Sequence, residues 1–286
     1  MKKRMIPESE LILVDGRVYH LNLRPDQIAH SIIMVGDPDR VPKVSVYFDK
    51  IEHQVSSREL VTHTGTIGSK RISVVSSGMG TDNVELVMTE LDALVNIDFE
   101  TRHIKDELTS LEIIRIGTSG CMQSDIPLDA HLVSKAAIGL DTLMGFYQWE
   151  NSDDGQRIVD ELKTKLNFNF APYFAEGSEV LLQKFGQDMH QGITVTSPGF
   201  YAPQGRELRL QTKSPGFLDI LSNMKLPQGR FTNFEMETAG YYAMATLLGH
   251  KMISLNALIA NRARKKFSDN PNLAVDKLIR TVINRL

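Results

Sequence analysis

Ile113-Ile114-Arg115-Ile116-Gly117-Thr118-Ser119-Gly120 places a single cation inside an apolar β-run and follows it with glycines and hydroxyls. A guanidinium in a buried strand fits the core poorly. It fits an oxyanion well, because its planar fork matches phosphate oxygens and neighbouring glycines let backbone N–H groups approach. The strand is expected to run from Leu111 to Ile116 and to break at Gly117 into a turn that cradles an anion. Similar short apolar runs bounded by Gly, Ser or Pro occur at Ser31 to Val35, Arg71 to Ser76, Ala130 to Ser134, Gly192 to Thr196 and Lys251 to Ile259. Between them, segments of helical period cover Asp82 to Asn96, Ser152 to Leu166, Glu237 to Leu248 and Leu273 to Leu286. Strands alternating with helices predict an α/β fold, one domain over residues 1–286, with a mixed central sheet flanked by helices. Thr81 or Asp82 is expected to cap the first helix, and Gly249 to end the third. Gly139 to Asp153 and Gln204 to Phe231 are polar, glycine-bearing stretches expected to form surface excursions or lids.

The 286 residues are 42% hydrophobic, enough for a full core, and carry a net charge of −3. With a pI of about 6.3 there is no global basic field, and the longest basic run is Lys2-Lys3-Arg4, which argues against a nucleic-acid partner. No segment approaches the roughly 18 apolar residues of a membrane span. Cys121 is the only cysteine, which excludes internal disulfides and cysteine-rich zinc sites and fits a reducing cytoplasm.

Four further groups of residues can carry chemistry. Arg40 follows Gly36-Asp37-Pro38-Asp39 at the end of the first strand, and Arg58 follows Ser56-Ser57. If these two converge with Arg115 they repel one another unless a multiply charged anion lies between them, so convergence would point to phosphate. Ser77-Gly78-Met79-Gly80 can add backbone donors or simply form a tight turn. In Phe200-Tyr201-Ala202-Pro203-Gln204-Gly205-Arg206, the planar amide of Gln204 and the fork of Arg206 can read the edge of a flat heterocycle, against which Phe200 packs. In Asn233-Phe234-Glu235-Met236-Glu237-Thr238, acidic residues at a helix start complement its dipole, yet a carboxylate is also a bidentate acceptor for a sugar diol. Met236 supplies an adaptable apolar wall.

Taken in order, these motifs resemble those of uridine phosphorylases in the nucleoside phosphorylase superfamily, over a stretch from about Tyr19 to the final helix. The resemblance implies a nucleoside phosphorylase-like fold and reversible phosphorolysis of uridine to uracil and ribose 1-phosphate. It implies that Gly36, Arg40, Arg115 and Thr118 bind phosphate, with Arg58 donated by a neighbouring subunit. Glu237, Met236 and Thr118 would hold the ribose, and His20 would reach the 5′-hydroxyl from the same neighbour. Gln204 and Arg206 would bind uracil, Phe200 would lie against its ring, and Ser119 and Gly120 would line the pocket. Arg206, Glu237 and Arg115 would be the catalytic residues. No cofactor or metal is implied, phosphate being a co-substrate. The monovalent-cation site of some members uses a carboxylate matching Glu59 and a serine whose place is taken here by Asn83, so that cation is not expected. Asn261-Arg262 stands where purine-specific relatives carry an Asp, which favours pyrimidines. Gln204-Gly205-Arg206 is closer to the animal type than to the bacterial Gln-Glu-Arg, leaving open a homodimer with shared active sites or a hexamer. A purine-preferring phosphorylase, a nucleosidase using water, and a non-catalytic nucleoside-binding protein on the same scaffold are the competing readings.

Overall fold

A computed structural model of the chain describes residues 4–226 and 229–286. Its largest sheet has eleven strands: β1 (Ser31–Val35), β2 (Lys50–Ser57), β3 (Leu60–Ile67), β4 (Lys70–Ser76), β5 (Glu112–Cys121), β6 (His131–Gly139), β7 (Tyr173–Glu176), β8 (His190–Thr196), β9 (Phe231–Glu235), β10 (Lys251–Asn261) and β11 (Lys266–Phe267). The helices are α1 (Arg40–Ser45), α2 (Thr81–Asn96), α3 (Asp153–Leu166), α4 (Glu179–Phe185), α5 (Phe217–Asn223), α6 (Thr238–Leu248) and α7 (Pro271–Asn284). This is the mixed α/β architecture expected from the alternation of apolar runs.

Sheet order is β11-β10-β6-β8-β9-β5-β1-β4-β3-β2, with β7 paired to β6 and β5 also paired to β10. That second pairing closes β10, β6, β8, β9 and β5 into a ring, from which β1, β4, β3 and β2 extend as a wing. Central strands covered on both faces are written as continuous β-branched runs. Ile32, Ile33, Val35, Ile113 and Ile116 are accordingly buried without residue. Helix α2 turns Val84, Val87, Met88 and Leu91 into the same core, each wholly buried and worth about 1.5–3 kcal/mol.

The strand begun by Glu112 does not break at Gly117, as its sequence had suggested. It continues to Cys121. As far as Ile116 it pairs in parallel with β1, whose last residue in register is Val35; beyond that it follows β10 alone, until Gly120 and Cys121 meet β9. The strand runs through both glycines without ending. Strands β1 and β5 therefore part company at Val35 and Ile116, and a crevice opens beyond their carboxyl ends, the usual place for a ligand in an α/β sheet.

Three other expectations are corrected. Helix α2 is capped by Gly80 at φ 96°, with Thr81 and Asp82 already in its first turn. The stretch Gln204 to Phe231 contains α5, whose Phe217 and Leu221 are buried; its Pro227 and Gln228, like Lys2 and Lys3, lie outside the described residues. Strands β2, β3, β7 and β9 carried too little contrast with their flanks to be read from sequence. Gly249 does end α6, in the left-handed region. No helix among the described residues is long and apolar enough to cross a membrane.

Candidate active site

The crevice is part of a cleft of about 1070 Å³. Its walls include Gly36, Arg40, Arg115, Thr118, Ser119, Gly120, Phe200, Gln204, Arg206, Met236 and Glu237, so residues spread over two hundred positions meet in one cavity. Arg58 and His20 are not among its lining residues. Arg58 is exposed on the turn between β2 and β3 at φ 54°, and His20 is bonded through Nδ1 to Glu90 at 2.7 Å.

Arg115 is 3% exposed and sits over Gly117, two residues on and therefore on the same face of β5. A side-chain carbon at Gly117 would collide with the guanidinium, which is why glycine occupies that position. Arg115 Nη2 bonds Glu237 Oε2 and lies 3.5 Å from Glu235 Oε2, while Nη1 donates to Ser254 and Asn256 at 3.4 Å each. Burial opposes the Arg115 charge, but Glu237 and then Glu235 outweigh it and hold the guanidinium above its ordinary value. Arg40 at the start of α1 reaches across to the carbonyl of Ile116 at 3.0 Å, the residue at which β1 and β5 diverge. Burial first, and then repulsion from Arg115, depress its pKa. Two mutually repelling guanidiniums lining one cleft are an arrangement that a multiply charged anion would relieve.

The two acidic residues of Glu235-Met236-Glu237 have different duties. Glu235 closes β9 and accepts from Thr196 at 2.6 Å, from Glu237 N at 3.0 Å, and from the N–H and hydroxyl of Thr238 at 2.8 Å each. Those bonds satisfy free amides at the start of α6, so Glu235 is a helix anchor. Glu237 meets the cleft, receiving Gly80 N–H at 2.9 Å and Arg115. Burial pushes its carboxyl up, against the pull of Arg115. The Ser77–Gly80 turn thus supplies a backbone donor, aimed at this carboxylate.

At the other end, Gln204 is 2% exposed and accepts from Arg206 Nη1 at 2.6 Å. The Arg206 guanidinium lies 3.8 Å above the Phe200 ring and also bonds the Phe200 carbonyl. Burial and the neighbouring Arg262 pull Arg206 down to about 10, since no carboxylate compensates it among the described residues. Arg262 holds the segment in place by donating to the carbonyls of Gln204 and Gly205 at 2.9 and 3.4 Å. That role had no signal in the sequence beyond its position after β10. Asn261, wholly buried, donates both amide hydrogens to the carbonyls of Gln123 and Ile126 at 3.0 Å and accepts from Arg264 N–H at 2.9 Å. Ser119 is likewise engaged, accepting from Asn233 at 3.0 Å. Glu59 and Asn83 bond each other at 3.3 Å at the rim. Among the described residues no group of three or more His, Cys, Asp or Glu could hold a metal ion.

A cleft with paired guanidiniums, a buried carboxylate and a bonded amide–guanidinium pair, set where β1 and β5 diverge, fits a phosphorylase of the nucleoside-cleaving kind. The chain belongs to the phosphorylase superfamily, whose family model matches residues 31–284. It is similar to the uridine phosphorylase of Thermococcus kodakarensis, 30% identical over 88% of this chain and 80% of that protein. It is also similar to a DeoD-type purine nucleoside phosphorylase from Colwellia psychrerythraea, 25% identical over 82% of this chain and 84% of that one. Among solved structures, a Trypanosoma brucei nucleoside phosphorylase described as showing uridine phosphorylase activity superposes with a TM-score of 0.88 at 28% identity, covering 96% of this chain and 99% of that one.

Proposed function

We propose that this chain is a uridine phosphorylase, a pentosyltransferase that converts uridine and phosphate reversibly to uracil and ribose 1-phosphate. The observation that carries the reading is the shared cleft: Arg40, Arg115 and Glu237 at one end, Gln204 and Arg206 at the other. Phosphate takes the end lined by Gly36, Arg40, Arg115 and Thr118. Ribose lies over Met236, with its hydroxyls donating to Glu237. Uracil fills the end formed by Phe200, Gln204, Arg206, Ser119 and Gly120.

Breaking the N-glycosidic bond builds positive charge on the sugar and negative charge on the departing base, as in other oxocarbenium-like glycosyl transfers. Phosphate held by Arg40 and Arg115 is both nucleophile and counter-charge at the anomeric carbon, while the uncompensated Arg206 cation meets the charge gathering on uracil. Electrons from the C–N bond go to the base as the phosphate oxygen bonds to carbon, so no covalent enzyme intermediate is required. We further read the site as shared: Arg58 and His20, neither of which lines its own cleft, complete the phosphate and 5′-hydroxyl contacts of a second copy in a homodimer. We also read it as a cytoplasmic enzyme, a reading supported by its single cysteine, Cys121, which is buried and free as a reducing compartment allows.

Pyrimidine preference is supported by Asn261, whose bonds to Gln123, Ile126 and Arg264 leave no donor hydrogen for a purine ring nitrogen. Release of base from uridine, thymidine and inosine, each with and without phosphate, tests the assignment. Phosphate-dependent cleavage of uridine is expected; phosphate-independent cleavage, or preference for inosine, overturns it.

A further inference from the structure

Glu90 lies in the interior of α2, 8% exposed, and its carboxylate is turned toward the chain near residue 20. It receives the His20 N–H at 3.0 and 3.2 Å, the Leu21 N–H at 2.7 Å, and His20 Nδ1 at 2.7 Å. The edge of the Tyr19 ring packs against the imidazole, with centroids 4.9 Å apart and planes at 85°. Main chain and ring are therefore fixed together by one carboxylate. The His20 side chain remains 30% exposed, and Nε2 has no hydrogen-bond partner among the described residues.

A carboxylate has no hydrogen to offer, so every one of these bonds requires the hydrogen on the other side. Nδ1 must carry it. In a neutral imidazole that leaves Nε2 with a bare lone pair, an acceptor facing outward. We infer that Glu90 is a positioning residue that fixes the His20 tautomer, so that the site completed by His20 selects nucleosides whose 5′ substituent can donate a hydrogen bond. This rests on the shared-site reading above, in which His20 meets the 5′ end of a nucleoside bound to a second copy. A free 5′-hydroxyl satisfies the acceptor. A 5′-O-methyl ether, which only accepts, leaves two lone pairs facing each other, and a 5′-deoxy sugar leaves Nε2 unpaired.

Glu90→Gln keeps the shape and changes the logic. The amide oxygen is retained by the main-chain N–H groups of His20 and Leu21, the amide NH₂ then faces Nδ1, and the ring hydrogen moves to Nε2. The experiment measures kcat/KM for uridine, 5′-deoxyuridine and 5′-O-methyluridine in the wild-type protein, Glu90→Gln and His20→Ala, together with imidazole ¹⁵N shifts of wild-type protein labelled at histidine. Expected are a wild-type His20 spectrum with hydrogen on Nδ1, and a uridine to 5′-O-methyluridine ratio that falls roughly tenfold in Glu90→Gln, about one hydrogen bond in size. A hydrogen on Nε2 in the wild type overturns the inference, whether or not the variant folds. So does a Glu90→Gln effect of equal size on all three substrates, which marks a purely structural role. If His20→Ala leaves all three rates and their ratios unchanged while uridine is still phosphorolysed, the shared-site contact itself fails, and the inference with it.

Discussion

Removing Arg115 tests the electrostatic arrangement more stringently than any other change. In Arg115→Met the side chain keeps much of its length, yet Glu237 and Glu235, both about 5% exposed, are left facing the cleft floor without their cation. Taking away one partner of a buried ion pair costs about 3–5 kcal/mol, because the remaining charge has neither water nor counter-ion. The remaining bonds to Glu235 from Thr196, Glu237 N and Thr238 keep that carboxylate supported, so most of the penalty falls on Glu237. Burial already pushes the Glu237 carboxyl above its usual 4.5, and losing Arg115 pushes it further. A carboxyl with a raised folded pKa contributes stability that is complete below its unfolded pKa and is lost as the pH rises through the folded one. The deficit of Arg115→Met should therefore be largest at neutral pH and shrink toward pH 5. Urea unfolding of both proteins at pH 7.5 and pH 5, at one fixed protein concentration, measures it. Replacing both partners, Arg115→Met with Glu237→Leu, should recover most of the loss at pH 7.5. A deficit that is under 1 kcal/mol, independent of pH, or as large in the double variant would show that the buried triad is not organised as described.

On the proposed mechanism Arg206→Ala removes a donor aimed at developing charge, a loss of roughly 3 to 4 kcal/mol of transition-state stabilisation, so kcat/KM for uridine should fall at least about a hundredfold. Near-normal turnover of the purified variant would remove Arg206 from the mechanism. Gly117→Ala puts a methyl group against the Arg115 guanidinium; the KM for phosphate should rise while far-UV circular dichroism stays that of the wild type, and an unchanged KM would contradict the close approach. Asn261→Asp sets a buried carboxylate against the carbonyls of Gln123 and Ile126 and removes both donor hydrogens, costing on the order of 3 kcal/mol without conferring inosine cleavage. Thermal unfolding combined with an inosine assay checks both halves, and a stable variant that cleaves inosine would refute the argument.

The legible parts of this chain were those where one physical rule dominates. Buried parallel strands such as Ser31–Val35 advertise themselves through β-branched runs, and α2, α3 and α6 through period and stop signals such as Gly249. The edge strand β2 is mostly exposed, its neighbour β3 buries threonines (Thr62, Thr64) where a core strand would show an apolar run, and β7 and β9 are too short to show a period. The lengthened β5 was hidden for a better reason. Gly117 and Gly120 read locally as a turn, but the strand passes through both while its partners change, and Gly117 answers a demand from elsewhere: room for a guanidinium folded back along its own strand. The residues that line the cleft could be named from their motifs. Those that hold other side chains or loops in place, Arg262 behind Gln204 and Glu90 behind His20, could not, because their partners lie 58 and 70 positions away and neither end has a local pattern.

The distribution of charge along the cleft explains why the two halves of the site need different support. At the end proposed for phosphate, Arg115 meets Glu237 directly and Glu235 at 3.5 Å, so its charge is balanced in the protein itself and an arriving anion would have to share it. At the end proposed for the base, Arg206 has no carboxylate among the described residues and is drawn down to about 10, held by the Gln204 amide, the Phe200 carbonyl and the Phe200 ring. An uncompensated cation interacts weakly with a neutral nucleobase and strongly with one that is leaving as an anion. Its attraction therefore grows along the reaction coordinate, which is the condition for raising kcat, since tightening the ground state would only lower KM. Pairing Arg206 with a carboxylate would steady the protein and discard that difference. On the proposed mechanism, a guanidinium at position 206 with no carboxylate partner among the described residues is the expected form for a group whose counter-charge is made by the reaction.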